Sequence, residues 1–196
     1  KSSIIESERE GAKVLVVNLD TPGGMLNTSQ DIIKTIFDSP IPVIFYVGPT
    51  GATATSAGVF VTMAAHVAAM APGTSIGAAH PVMGDGKDIP GDMRAKAENM
   101  TVAMVESIAQ QRGRNVEWAK KAVVESATLT DSEAVKQGVV DLVAKDLDQL
   151  LKQVKGKEVS MVGQKKLTLK HYSSLPRKTY EISFRHDLLN HLADPQ

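Results

Sequence analysis

From residue 39 to residue 84 the chain runs for 46 residues without one Asp, Glu, Lys or Arg. So long an uncharged stretch is either membrane-embedded or buried at the centre of a globular fold. A membrane helix needs about 20 consecutive apolar residues, and Pro40, Pro42, Gly48, Gly51, Gly58, Pro72 and Gly73 cut the stretch into shorter pieces. It therefore reads as a buried centre of strand, loop, helix and strand. The whole chain has 196 residues, a domain's length, and 42 % of them are hydrophobic, enough for a sizeable core. Its 22 basic and 22 acidic residues cancel, which argues against a general nucleic-acid binder with a basic face. With no cysteine, disulfides, thiolate metal sites and cysteine nucleophiles are excluded. The chain begins at Lys1 without Met, so it is expected to be part of something longer, with targeting and membrane segments elsewhere.

Residues 13–20 (KVLVVNLD) form a near-continuous apolar run, the pattern of a parallel strand covered on both faces. The turn Thr21-Pro22-Gly23-Gly24 follows, then a helix over 26–38 and a strand over 43–47. Residues 54–65, rich in small side chains, predict a helix, and 67–70 and 75–79 predict short strands around Pro72-Gly73. Residues 80–92 carry Gly84, Gly86, Pro90 and Gly91 and predict a mobile loop. A helix over 95–112 stops at Gly113, Asn115 caps the next over 116–125, and Thr130 or Asp131 caps a short one ending at Gly138. Residues 139–144 predict a strand, 147–154 a helix, 157–169 a hairpin and 184–192 a short amphipathic helix. Strands alternating with helices imply an α/β fold with a largely parallel sheet. The change in texture near 155 predicts a main domain over 1–155 and a C-terminal extension over 156–196.

Several residues are candidates for chemistry. Ser56, in Ala54-Thr55-Ser56-Ala57-Gly58, opens a helix whose free N–H groups and partial positive charge favour an alkoxide or oxyanion; a plain N-cap serine is the alternative. The sequence is not the Gly-x-Ser-x-Gly elbow. Gly23 and Gly24 follow a buried strand and can present bare backbone N–H groups to a substrate, or simply make a tight turn. Lys96 heads a series with Met100, Ala103, Met104 and Ser107 on one predicted face of its helix. There desolvation favours the neutral amine and a proton-accepting role; a solvated surface lysine is the alternative. His80 is a candidate general base or an ordinary exposed histidine. Asp141 would orient a histidine or serve as a polar strand residue. His66 reads as a core histidine with its nitrogens satisfied. No metal-ligand spacing and no phosphate-binding loop occurs, and no cofactor is expected.

Four motifs occur in order: Leu19-Asp20-Thr21-Pro22-Gly23-Gly24, Thr55-Ser56-Ala57-Gly58, Ala71-Pro72-Gly73-Thr74-Ser75-Ile76-Gly77-Ala78 and Arg112-Gly113-Arg114-Asn115. The succession resembles the NfeD family of membrane-bound serine proteases, part of the Clp/crotonase superfamily and related to signal peptide peptidase A. Residues 129–134 with 138–141 resemble a segment common across that superfamily. The resemblance covers residues 12–155 and implies a Clp/crotonase-like fold of stacked β-α units. It assigns the nucleophile to Ser56, the base to Lys96, and the oxyanion hole to the N–H groups of Gly24 (or Gly23) and Ala57. It also implies an apolar peptide or protein substrate, with stomatin-like membrane proteins as the suggested targets, a homodimer, and membrane helices outside this chain with the domain on the non-cytoplasmic side. Relatives start earlier, so an edge of the sheet is expected to be missing.

Three alternatives stand beside the Ser56–Lys96 dyad. His80 and Asp141 fall where the related Clp subunit places its histidine and aspartate, giving a Ser56–His80–Asp141 triad. A crotonase-type acyl-CoA enzyme would use the same oxyanion hole but leaves Ser56 and Lys96 without a role. A non-enzymatic scaffold would bind a membrane partner with the site dormant.

Overall fold

The computed structural model describes residues 2–83, 87 and 89–180. Four parallel strands, β1 (Leu15–Leu19), β2 (Val43–Val47), β4 (Val67–Met70) and β7 (Leu142–Val143), form the main sheet in the order β1-β2-β4-β7. A smaller sheet orders β3 (Thr53–Thr55), β5 (Ser75–Gly77) and β6 (Thr128–Thr130), with β6 antiparallel. The helices are α1 (Ser2–Arg9), α2 (Leu26–Phe37), α3 (Ala57–Ala64), α4 (Asp92–Arg112), α5 (Val116–Val124), α6 (Asp131–Lys136) and α7 (Leu147–Gln153). The hairpin β8 (Glu158–Ser160) and β9 (Lys166–Thr168) follows, as the alternation over 157–169 predicts.

The uncharged stretch is the centre of the fold. Successive side chains of a strand point to opposite faces, and β2 divides accordingly. Val43, Phe45 and Val47 join Ala68 and Met70 of β4 under α2, α3, α4 and α5, while Ile44 and Tyr46 join Val67 and Ala69 under α7 and the hairpin. Both faces are covered, so β2 and β4 are buried along their whole length. The hairpin contributes Val159, and Leu169 and Tyr172 follow it into the second core.

Some elements differ from the sequence reading. β1 is an edge strand, half-buried with Asn18 exposed, because it pairs only with β2. Its apolar run is still packed on both faces, Val17 and Leu19 against the first core and Val14 and Val16 against the second. It stays half-exposed because its outer edge has no partner strand among the described residues. β3 and β6 were not legible: three residues each, they carry too little periodicity to register. The strand over 139–144 shrinks to two residues. α4 begins at Asp92 and takes in the end of the predicted loop; residues 84–86 and 88 of that loop, and the helix expected over 184–192, lie outside the described residues. The caps hold. Asn115 Oδ1 accepts the Trp118 N–H at 2.8 Å, and Thr130 occupies the N-cap of α6, its N–H donating to Glu133 at 3.0 Å.

His66 is buried, and its Nδ1 accepts the Val43 N–H at 3.1 Å. Its Nε2 has no partner among the described residues, so the ring is satisfied at one nitrogen only. Burial, then the neighbouring Arg112 and Arg114, lower its pKa from 6.5 to about 3. The unfolded chain therefore binds a proton that the folded chain refuses. The stabilisation is complete above about pH 6.5 and is lost as pH falls toward 3, at up to about 1.4 kcal/mol per pH unit. Denaturant titrations at pH 7 and pH 4.5 should show a shallower loss in His66→Asn, whose Oδ1 keeps the Val43 bond, than in the parent. An equal loss in both would exclude His66 as the source.

Candidate active site

Ser56 sits between β3 and α3 with φ 54° and ψ −117°. A non-glycine residue with positive φ is uncommon and costs about 1–3 kcal/mol, so it persists only where its surroundings hold it. Here they do. The Ser56 N–H donates to Gly77 O at 3.1 Å, and its carbonyl accepts the Val59 N–H at 3.0 Å. The hydroxyl does not cap α3 and makes no hydrogen bond among the described residues. The N-cap alternative is thereby set aside: the residue stands at the N-cap position without making the cap bond.

The turn at 21–24 is brought alongside by a strap of hydrogen bonds. Thr21 bridges Ala54 in parallel register; its N–H donates to Thr53 O at 2.8 Å, and its carbonyl accepts from Thr55 N at 3.1 Å. Asp20 Oδ1 accepts the Thr53 N–H at 2.9 Å. Two glycines permit the approach. A Cβ on Gly58 would lie 2.8 Å from Thr21 Cγ2, and one on Gly23 (φ 143°) would lie 3.0 Å from Ser56 Cβ and 3.4 Å from Ser56 Oγ. Gly23 thus forms a wall of the site. Its N–H is already donated to Thr21 Oγ1 at 3.1 Å. The N–H groups of Gly24 and Ala57 donate to nothing among the described residues. Of the two glycines, Gly24 is the one with a donor to spare. Thr21, whose hydroxyl closes this turn, was not singled out from sequence.

A Gly23→Ala variant should fold but lose roughly 2–12 °C in melting temperature, because at φ 143° a Cβ strains the backbone by about 1–3 kcal/mol, while the clash itself is with the Ser56 side chain and not the core. It should lose about 100-fold or more in peptide cleavage, since a displacement of about 1 Å at a reacting group has that cost. Wild-type turnover would show that this wall does not border the reacting atoms.

The other candidates are dispersed. Lys96 is exposed on the first turns of α4. The face predicted for it is not the buried one. α4 buries Thr101, Val105, Ile108 and Ala109, while Met100 is 60 % exposed and Met104 half-buried. Hydropathy misplaced the stripe because Thr101 is buried with its hydroxyl on Ala97 O at 2.8 Å, hiding its polarity inside the helix. His80 is half-buried and its Nδ1 lies 3.0 Å from Val123 O. Asp141 does not meet His80. Its Oδ2 accepts from Arg114 Nη2 and from the Ala68 N–H, each at 2.8 Å, and its Oδ1 lies 3.6 Å from Lys157 Nζ. Asp141 is thus a structural partner of a buried arginine, and Ser56 Oγ bonds to neither Lys96 nor His80. Among the described residues no cluster of His, Asp and Glu is placed to hold a metal.

Comparison with known proteins agrees with this architecture. The family model of the NfeD1b N-terminal domain matches residues 1–167. The membrane-bound protease PH1510 of Pyrococcus horikoshii is 35 % identical over 192 residues, which is 96 % of this chain and 43 % of that protein. The membrane protein NfeD1b of Bacillus subtilis is 31 % identical over 117 residues, 60 % of this chain and 25 % of its own. The chain thus spans less than half the length of these relatives. A solved structure of the 1510-N membrane-bound stomatin-specific protease, a lysine-to-alanine mutant in complex with a substrate peptide, superposes with a TM-score of 0.86 at 35 % identity, covering 99 % of this chain and 89 % of that one. ClpP1 of Listeria monocytogenes, at 18 % identity, superposes with a TM-score of 0.60 over 76 % of this chain and 84 % of its own, and shows the shared Clp-like fold. The chain belongs to the NfeD1b N-terminal domain family.

Proposed function

We propose that this domain is a serine endopeptidase in which Ser56 is the nucleophile, Lys96 its base, and the N–H groups of Gly24 and Ala57 the oxyanion hole. The observation that carries the reading is the Ser56 turn: an uncapped hydroxyl at a helix N-terminus, walled by Gly23, with the N–H groups of neighbouring Gly24 and Ala57 unused among the described residues. A neutral amine on Lys96 takes the Ser56 proton as Oγ attacks a peptide carbonyl. The two donors hold the tetrahedral oxyanion. Lysine then passes the proton to the leaving amine, and water releases the acyl group. Such Ser-Lys pairs are a known variant of triad logic.

The relative's solved structures include a serine-to-alanine and a lysine-to-alanine mutant, at positions 41 apart. Ser56 and Lys96 are 40 apart. The exposure of Lys96 fits this role only when something covers it, because desolvation favours the neutral amine. Met93 and Met100 on the same helix are 71 % and 60 % exposed. A substrate with an apolar segment would bury them together with Lys96. By likeness to the membrane-bound, stomatin-specific relative, the substrate class is a membrane-associated, stomatin-like protein. The exposed methionines favour an apolar stretch of it, and the reading includes a homodimer tethered to the membrane through segments outside this chain, with the domain on the non-cytoplasmic side.

A second reading keeps Ser56 but uses His80. The Val123 carbonyl at His80 Nδ1 leaves Nε2 free to accept a proton, without help from Asp141. Hydrolysis of an apolar peptide by Lys96→Ala and His80→Ala separates the two. The dyad predicts a loss of about 10³-fold or more for Lys96→Ala and less than about threefold for His80→Ala. The reverse pattern would assign the base to His80.

A further inference from the structure

Two arginines that the proposed chemistry does not use hold the end of α3 opposite Ser56. The last carbonyls of an α-helix have no partner within it. Here Arg114 Nη1 donates to Met63 O at 2.7 Å and to Ala65 O at 3.0 Å, and Arg112 Nε donates to Ala64 O at 2.7 Å. From that point both guanidiniums reach toward the C-terminal hairpin. Arg112 Nη1 donates to Ser160 O of β8 at 2.8 Å, and its guanidinium lies 4.8 Å from the centre of the Phe37 ring at the end of α2. Arg114 Nη2 binds Asp141, whose second oxygen faces Lys157 just ahead of β8. Two separate chains of polar contacts therefore run from the hairpin to one end of the helix that starts at Ser56.

α3 has only eight residues, a length with little stability of its own. All eight are buried, so packing holds its sides, and at its C-terminal end the two arginines supply the donors its last carbonyls lack. We propose that Arg112 and Arg114 are positioning residues: they set α3, and with it Ser56 Oγ and the Ala57 N–H, and they couple that setting to the hairpin of residues 157–169. This rests on Ser56 being the nucleophile. It gives the C-terminal hairpin a part in catalysis at a distance, through two side chains the sequence places together as Arg112-Gly113-Arg114.

The test uses the 196-residue chain as it stands, with Arg112→Met, Arg112→Lys and Lys157→Met. Arg112 is chosen because it has no carboxylate partner to strand. Hydrogen exchange followed by mass spectrometry reads α3 directly, and the rate of phosphonate labelling at Ser56, with kcat and KM for an apolar peptide, reads the site. In folded Arg112→Met, amides of residues 57–61 are expected to exchange about tenfold faster. Labelling and kcat fall about tenfold, with KM within twofold. Arg112→Lys keeps a donor for one carbonyl and falls between; it carries the test if the Met variant does not fold. Lys157→Met, which leaves both arginines in place, moves the same readouts in the same direction by less. Unchanged exchange in a folded Arg112 variant, or faster exchange with labelling and kcat unchanged, overturns the proposal, the latter showing the arginines to be structural only. A parent that exchanges as described but never labels would instead remove the nucleophile reading, while exchange would still report whether the arginines order α3.

Discussion

Ser56→Ala is expected to lower kcat for peptide cleavage by about 10⁴- to 10⁶-fold, the range for removing a nucleophilic serine from a cooperating site, and to leave stability almost untouched. The second half is as diagnostic as the first. Loss of a capping serine costs about 0.5–2 kcal/mol, but Ser56 makes no cap bond and its hydroxyl has no partner among the described residues. Alanine keeps the same backbone and the same Cβ against Gly23. A melting temperature within about 2 °C of the parent follows, since 1 kcal/mol moves a domain of this size by about 2–4 °C. Cleavage assays and thermal denaturation on the same preparation check both halves. A variant that loses several degrees would return Ser56 to a structural role.

The largest effect on stability is expected at Arg114. Its side chain is 5 % exposed and pairs with Asp141 at 2.8 Å, while the Met63 carbonyl of α3 and the Ala65 carbonyl at its C-cap depend on its other nitrogen. Burial alone pulls its pKa down, and the bond to Asp141 opposes that and keeps it charged. Removing the arginine leaves two carbonyls at the end of α3 without their donor and leaves Asp141, 30 % exposed, with only the Ala68 N–H and Lys157, at a combined cost of about 3–5 kcal/mol. Arg114→Met should therefore lower the melting temperature by roughly 6–20 °C. The double variant Arg114→Met with Asp141→Leu should recover only part of that loss, because it removes the carboxylate that has lost its arginine but also the acceptor of the Ala68 N–H. Denaturant unfolding of the three variants measures the coupling. If Arg114→Met is as stable as the parent, the pair contributes nothing and α3 is anchored by packing.

What was legible in the sequence depended on how local its cause was. The uncharged stretch located the buried centre because excluding charge is a property of a segment, and β2, α3 and β4 are indeed its buried elements. The caps at Asn115 and Thr130 are also local. Ser56 was identifiable as a helix-opening serine, yet the feature that separates it from a cap, its positive φ, goes with a bond from its N–H to Gly77 O on another strand, which the local sequence does not announce. Asp141 shows the limit most clearly. Its partner Arg114 lies 27 positions away, and nothing in either segment announces the pairing, so a strand-end aspartate read as a candidate for orienting histidine. The face of α4 was misread for a related reason. Thr101 counts as polar in a sequence, but inside the helix its hydroxyl is spent on its own backbone, which turns the buried stripe away from Lys96.

The central claim is that Ser56 is the activated nucleophile, and covalent labelling tests it most directly. The parent chain, incubated with a serine-directed phosphonate at neutral pH and digested for mass spectrometry, is expected to carry a single adduct on Ser56. The adduct should be absent from Ser56→Ala and should form at least about 100-fold more slowly in Lys96→Ala. Cleavage of the apolar peptide with no adduct at Ser56, or with an adduct on another serine, would contradict the account.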